Sequence, residues 1–174
     1  MTSRKFLTTL FGSLALVAWG TPALSADKSA TATATIEARS GSSAAGTAVA
    51  SEKNGAVEIV VDVTGSSAGV HAVHIHEKGD CSAPDATSAG SHFNPTGETH
   101  GAPDAEHHHA GDFGNMTVGA DGKGHLVITS KMLTVAAGAN SVVGRAIIVH
   151  AKEDDMTTQP TGNAGDRIGC GVFK

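Results

Sequence analysis

An all-β domain is what this chain predicts: about eight short antiparallel strands closing into a sandwich or a barrel. Short β-rich segments recur along it, punctuated by glycine, and no window of amphipathic helix interrupts them. Tight-turn chemistry supplies the second observation, in Asn54–Gly55 and Asp121–Gly122, dipeptides that favour two-residue hairpins. With 174 residues there is enough chain for one domain with a real core.

The first stretch stands apart from that domain. Arg4 and Lys5 precede the apolar run from Phe6 to Trp19, and the small residues Ala23, Ser25 and Ala26 follow. A basic head, an apolar centre and a small-residue cut site read as a secretory signal peptide over residues 1–26. The apolar run is shorter than the roughly 20 residues that span a bilayer, and no cysteine near the cut offers a lipid anchor. The domain is therefore assigned to residues 27–174, free of the membrane after cleavage. Its first few residues, Asp27 to about Ala32, are small and polar and are expected to fray.

Ala34–Arg39, Gly46–Glu52 and Val57–Val63 read as the first three strands, the last two joined through Asn54–Gly55. Val70–Glu77 is the fourth. Asn115–Val118 and His125–Thr129 flank the turn at Asp121–Gly122, and Val143–Ala151 and Ile168–Phe173 complete the set. Two connections are too long for turns, from about Gly79 to Gly114 and from about Lys152 to Asp166. Loops of that length in a compact domain are usually functional or disordered.

The first long loop favours function, because it holds most of a set of metal-ligand side chains. Val73–His74–Ile75–His76 alternates apolar residues with imidazoles, so His74 and His76 project from one face of a strand. His71 has the opposite parity and is excluded. The loop then supplies His92, His100, a run of histidines at 107–109, and Asp112. Within the run His109 is chosen for its three-residue spacing to Asp112. His150 ends the apolar strand Ala146–Val149 and gains weight from this company. The order fits two ions sharing one ligand, with imidazole suiting copper and zinc and an added carboxylate favouring zinc.

Charge and cysteines narrow the class further. Removing residues 1–26 takes away two basic residues and no acidic one, so 10 Lys plus Arg face 17 Asp plus Glu and the formal charge moves from −5 to −7. No basic stripe remains to neutralise phosphates, which excludes nucleic acid as a partner. Cys81 and Cys170 are the only cysteines. Export places them in an oxidising compartment, where one intramolecular disulfide is expected.

At this level of detail the chain resembles the copper,zinc superoxide dismutases over nearly all of residues 27–174. The motifs that carry the resemblance are Val73–His74–Ile75–His76–Glu77–Lys78–Gly79–Asp80–Cys81, Gly111–Asp112–Phe113–Gly114–Asn115, Gly144–Arg145–Ala146–Ile147–Ile148–Val149–His150 and the segment from Gly162 to Val172. Glu77–Lys78–Gly79 looks most like the bacterial periplasmic branch, and so implies the periplasm.

The resemblance implies an eight-stranded Greek-key barrel of immunoglobulin-like sandwich type with two long functional loops. It implies one copper and one zinc ion per subunit. His74, His76, His92 and His150 would hold copper; His92, His100, His109 and Asp112 would hold zinc, with His92 as the bridge. Asp154 resembles the carboxylate that tethers a copper histidine to a zinc histidine. Arg167 resembles the active-site arginine, Cys81 and Cys170 the intrasubunit disulfide. The implied reaction converts two superoxide anions and two protons to oxygen and hydrogen peroxide, with His92 and Arg167 as its catalytic side chains. The resemblance admits a homodimer as well as a monomer. The loop before Arg167 carries Asp154, Asp155 and Asp166 but only Lys152, so it departs from relatives that steer substrate with lysines there; Lys78 or Lys131 is the candidate substitute, and the sequence does not choose between them. His71, His107, His108 and His125 are left as solvated side chains.

Overall fold

Strict alternation builds the first strand. β1 (Thr31–Ala38) exposes its threonines and buries Ala32, Ala34 and Ile36. The computed structural model describes Met1 and residues 30–174, so the signal-peptide reading of 1–26 lies outside the described residues, Met1 apart. β1 begins earlier than expected. Thr31 and Ala32, expected to fray, pair with Ser51 and Ala50. Alanine is a poor strand former in general, but here its small side chain faces the interior while the backbone finishes a ladder.

β2 (Ala45–Lys53) and β3 (Ala56–Thr64) meet at Asn54–Gly55, where both residues have positive φ, 52° and 77°. That is the mirror-image turn whose twist matches a hairpin. β4 (Gly69–His76), β5 (Asp112–Val118), β6 (Gly124–Ser130), β7 (Ala146–His150) and β8 (Arg167–Val172) follow. The ladder order is β1-β2-β3-β6-β5-β4-β7-β8, antiparallel throughout and closed by β8 against β1. The barrel, not an open sandwich, is thus the form taken. The connections from β3 to β4, residues 65–68, and from β6 to β7, residues 131–145, cross to non-adjacent strands, as a Greek key requires.

Two strand starts shift with consequences. β5 begins at Asp112 rather than Asn115, which places Asp112 on a strand end instead of in the loop. β7 begins at Ala146 because Gly144, at φ 79°, turns the chain, and the Arg145 amide bonds the Val142 carbonyl at 2.9 Å.

Ile36, Ile59, Val61, Val73, Ile75, Ile147, Val149 and Phe173 fill the barrel, with Phe93 and Ala110 of the first long loop plugged in beside them. A smaller cluster lies on the outer face, where Ala86 and Ala89 pack on Ala146, Ile148 and Cys170. A 3-10 turn, Thr87–Ala89, belongs to this lid. The Cys81–Cys170 disulfide spans 89 residues and rivets the same loop to β8. No helix among the described residues is long and apolar enough to cross a membrane.

Candidate metal centre

β4 sets the site through its parity. Val73 and Ile75 point into the barrel, so His74 and His76 point outward, under the two long loops. β7 lies alongside, with His74 opposite Ile148, and ends at His150. The first loop returns antiparallel to the end of β4: Phe93 N–H bonds Ile75 O at 2.8 Å, and Ile75 N–H bonds Gly111 O at 2.9 Å. Such close approach needs glycine at 111, because a Cβ there would strike the Ile75 carbonyl. Phe93 and Ala110, buried in the core, anchor the flanks. His92 and His109 are thereby swung over the outer face.

Two groups result. His74, His76, His92 and His150 form one; His92, His100, His109 and Asp112 form the other; in each, the ligand atoms lie within 4.8 Å of one another. All seven residues are buried. His92 alone belongs to both groups. Its Nδ1 is 2.8 Å from Asp112 Oδ1 and 3.4 Å from His109 Nδ1. Its Nε2 has no hydrogen-bond partner.

The tautomers follow from the partners. Carboxylates and carbonyls only accept, so a ring nitrogen facing one carries the proton and the other nitrogen presents a lone pair. His74 Nε2 donates to Asp154 Oδ2 at 2.7 Å, His76 Nδ1 to Gly90 O at 2.9 Å, and His100 Nε2 to Asp154 Oδ1 at 2.9 Å. His150 Nδ1 donates to Gly165 O at 3.3 Å. Left without partners are His74 Nδ1, His76 Nε2, His100 Nδ1 and His150 Nε2. His100 Nδ1 lies 3.0 Å from Asp112 Oδ2, yet outside hydrogen-bonding geometry. Buried acceptors left bare are costly. Five such nitrogens, His92 Nε2 included, converge here and fit metal ions: four imidazoles suit copper, and three with a carboxylate suit zinc.

The electrostatics agree. Burial holds the His74, His76 and His150 rings well below the usual imidazole range, His150 at about 3, and the neighbouring histidines add to it. Burial lowers His109 as well, against the pull of Asp112. For Asp112, burial pushes upward but is outweighed by hydrogen bonds from His92 and the His109 amide, which hold it at about 2. At neutral pH the rings are bases and the carboxyl is an anion, which is the state ligands need.

Residues 44–173 match the family model described as copper/zinc superoxide dismutase (SODC). The chain belongs to that family. Among solved structures it is similar to one titled "Crystal Structure Analysis of the clock protein EA4", at 32% identity and a TM-score of 0.75, covering 83% of this chain and 94% of that one.

The seven ligand residues that the resemblance to the superoxide dismutases singled out are brought to this place, with Asp154 and Arg167 beside them. Asp154, buried, ties His74 of one group to His100 of the other. Arg167, the first residue of β8, sits opposite His150, and its guanidinium donates to Ala86 O and Gly90 O, both at 2.8 Å. Gly90 O therefore accepts from both His76 and Arg167. Burial lowers the arginine somewhat, with Asp85 opposing.

Other contributors escape a reading by residue type. Asn115 pairs with the Asp154 backbone in both directions, at 2.9 and 2.7 Å. Gln159 brackets the His100 backbone, and Gly162 packs against the Asp154 carboxylate. Asn115 and Gly162 stood inside quoted motifs, whereas nothing in the sequence marked Gln159. Among the spare histidines, His107 and His125 are exposed and pair with Glu98 and Asp62. His71 is different: it is buried, 2% exposed, between the His150 and Ser67 carbonyls at 2.8 and 2.9 Å. The solvated role expected for it is wrong, because its parity points it into the barrel. Half-buried His108 bonds the His109 carbonyl at 2.8 Å.

Proposed function

We propose that this protein is an exported superoxide dismutase of the bacterial periplasm, with its signal peptide in residues 1–26. His74, His76, His92 and His150 would hold copper; His92, His100, His109 and Asp112 would hold zinc. The observation that carries this reading is His92, which belongs to both groups, with Nδ1 facing Asp112 and His109 and Nε2 free of any hydrogen-bond partner. Copper supplies reversible one-electron chemistry when bound, and zinc, which has none, supplies charge and order.

The remaining tasks fall to the chain's own residues. Arg167 keeps a cation fixed beside His76 and His150, so an anion is drawn to that point although the protein is acidic overall. Its two carbonyl contacts orient the guanidinium before substrate arrives. His92 Nε2 is placed to hold a proton and pass it to the product. Asp154 fixes the ring directions of His74 and His100 from outside, which keeps their lone pairs aimed inward.

The description of the solved relative as a clock protein motivates a second reading, metal binding without turnover. One experiment separates the two. The protein comprising residues 27–174, loaded with both metals, should accelerate superoxide decay, and a His150→Ala variant should lose most of that rate. If loaded wild-type protein leaves decay at its spontaneous pace, the catalytic reading fails and the binding one stands. N-terminal sequencing of the exported protein tests the cut after Ala26.

A further inference from the structure

The second long loop grips His100 at two ends. Asp154 Oδ1 accepts from its ring Nε2 at 2.9 Å. Five residues on, the Gln159 side chain meets its backbone: His100 N–H donates to Gln159 Oε1 and Gln159 Nε2 donates to His100 O, each at 2.8 Å. The orientation of the amide is settled by its partners, since an N–H must face the oxygen and a carbonyl must face the nitrogen. Gln159 thus replaces the strand partner that His100, in an irregular loop, does not have.

The gripping loop is itself braced. Asp155 accepts from the Thr157 amide at 3.0 Å and the Thr158 amide at 2.7 Å, and Gly162 N–H bonds Thr158 O at 2.7 Å. With ring Nε2, backbone N–H and backbone C=O all fixed by one loop, His100 has a single direction left for its Nδ1. That direction is toward His92, His109 and Asp112.

We infer that Gln159 is a positioning residue for the zinc-side group: its amide clamp on the His100 backbone sets the affinity and geometry of that position. Its effect is confined to one group, whereas Asp154 touches both. This rests on the metal assignment proposed above, so the test includes a readout that needs no metal.

Gln159→Leu removes both bonds at similar size, and Gln159→Glu keeps the acceptor for the His100 amide while losing the donor. Gln159 is exposed at the surface, so both variants should fold. Three measurements follow on the disulfide-bonded protein of residues 27–174. Hydrogen exchange at the His100 amide, in metal-free protein, should quicken in the leucine variant and stay near wild type in the glutamate variant. Zinc affinity, by competition with a chelator, should fall about tenfold in the leucine variant, with the glutamate variant between. Visible bands of cobalt(II) bound in place of zinc should shift in the leucine variant, while copper affinity stays within about twofold of wild type. Unchanged zinc affinity in the leucine variant overturns the inference, and so does equal weakening of zinc and copper. Wild-type protein that binds no zinc would instead defeat the metal assignment, and the exchange result would show whether the clamp itself is real.

Discussion

Arg167 and Gly162 show how much single side chains decide here. The guanidinium is half-buried and anchored on Ala86 O and Gly90 O, so its charge cannot drift from the site. Arg167→Ala should lower kcat/KM about tenfold or more and flatten its dependence on ionic strength, because a fixed local charge, not net charge, steers an anion. Copper content should be unaffected, since the arginine holds no metal. A variant with wild-type rate and salt response would remove its steering role. Gly162 acts by absence. Its φ is +64°, and a Cβ there would strike Asp154 Oδ1 and stand 2.6 Å from His100 Nε2. Gly162→Ala should therefore push the carboxylate off its two histidines, costing roughly 1–3 kcal/mol of stability and loosening both metals together. Loss of only one metal in elemental analysis after dialysis would contradict the shared-carboxylate geometry.

Strands and loops differ in what their residues reveal. Period-two alternation located β2, β3 and β6 closely, and the His74–His76 pair could be put on one face because parity alone decides it. The first strand begins at Thr31, ahead of the expected Ala34; Thr–Ala alternation lacks the bulky residues by which a strand is usually recognised. Loops have no period. Which of the histidines at 107–109 faces inward is set by the Ala110 plug and the β5 start at Asp112, both tertiary facts. The resemblance to known dismutases supplied what periodicity lacked, including Asp154 and Arg167, but Gln159 touches backbone rather than a ring and left no signature. The loop carrying Ala86 and Gly90 depends on the Cys81–Cys170 bridge as well as on its alanine contacts. Closing so long a loop stabilises by about 4–5 kcal/mol in the chain-entropy view. Replacing both cysteines by serine should lower the urea midpoint accordingly. Turnover should also drop, because the carbonyls that orient Arg167 lose their tether. Wild-type turnover in that variant would mean that the alanine packing alone holds the loop.

For the molecule as a whole, the site is a liability until metal arrives. Three of its histidines stay neutral when folded because burial lowers them, His150 to about 3 and His74 and His76 well below the ordinary value. In the unfolded chain the same rings titrate near about 6.5. Between those limits the unfolded state binds more protons, so the stability of metal-free protein rises with pH and is lost as pH falls below about 6.5. Asp112, held at about 2, adds loss of the same sign at lower pH, below the ordinary carboxyl value. Each buried ring contributes at most about 1.4 kcal/mol per pH unit in its window. Metal-free protein should thus melt progressively lower at pH 6.0 and 5.0 than at pH 7.5. A His150→Gln variant should show a shallower fall, by about one proton taken up on unfolding. A flat melting temperature across that range in metal-free protein would show that the rings are already charged when folded, and with charged rings the converging lone pairs on which both metal positions rest would not exist.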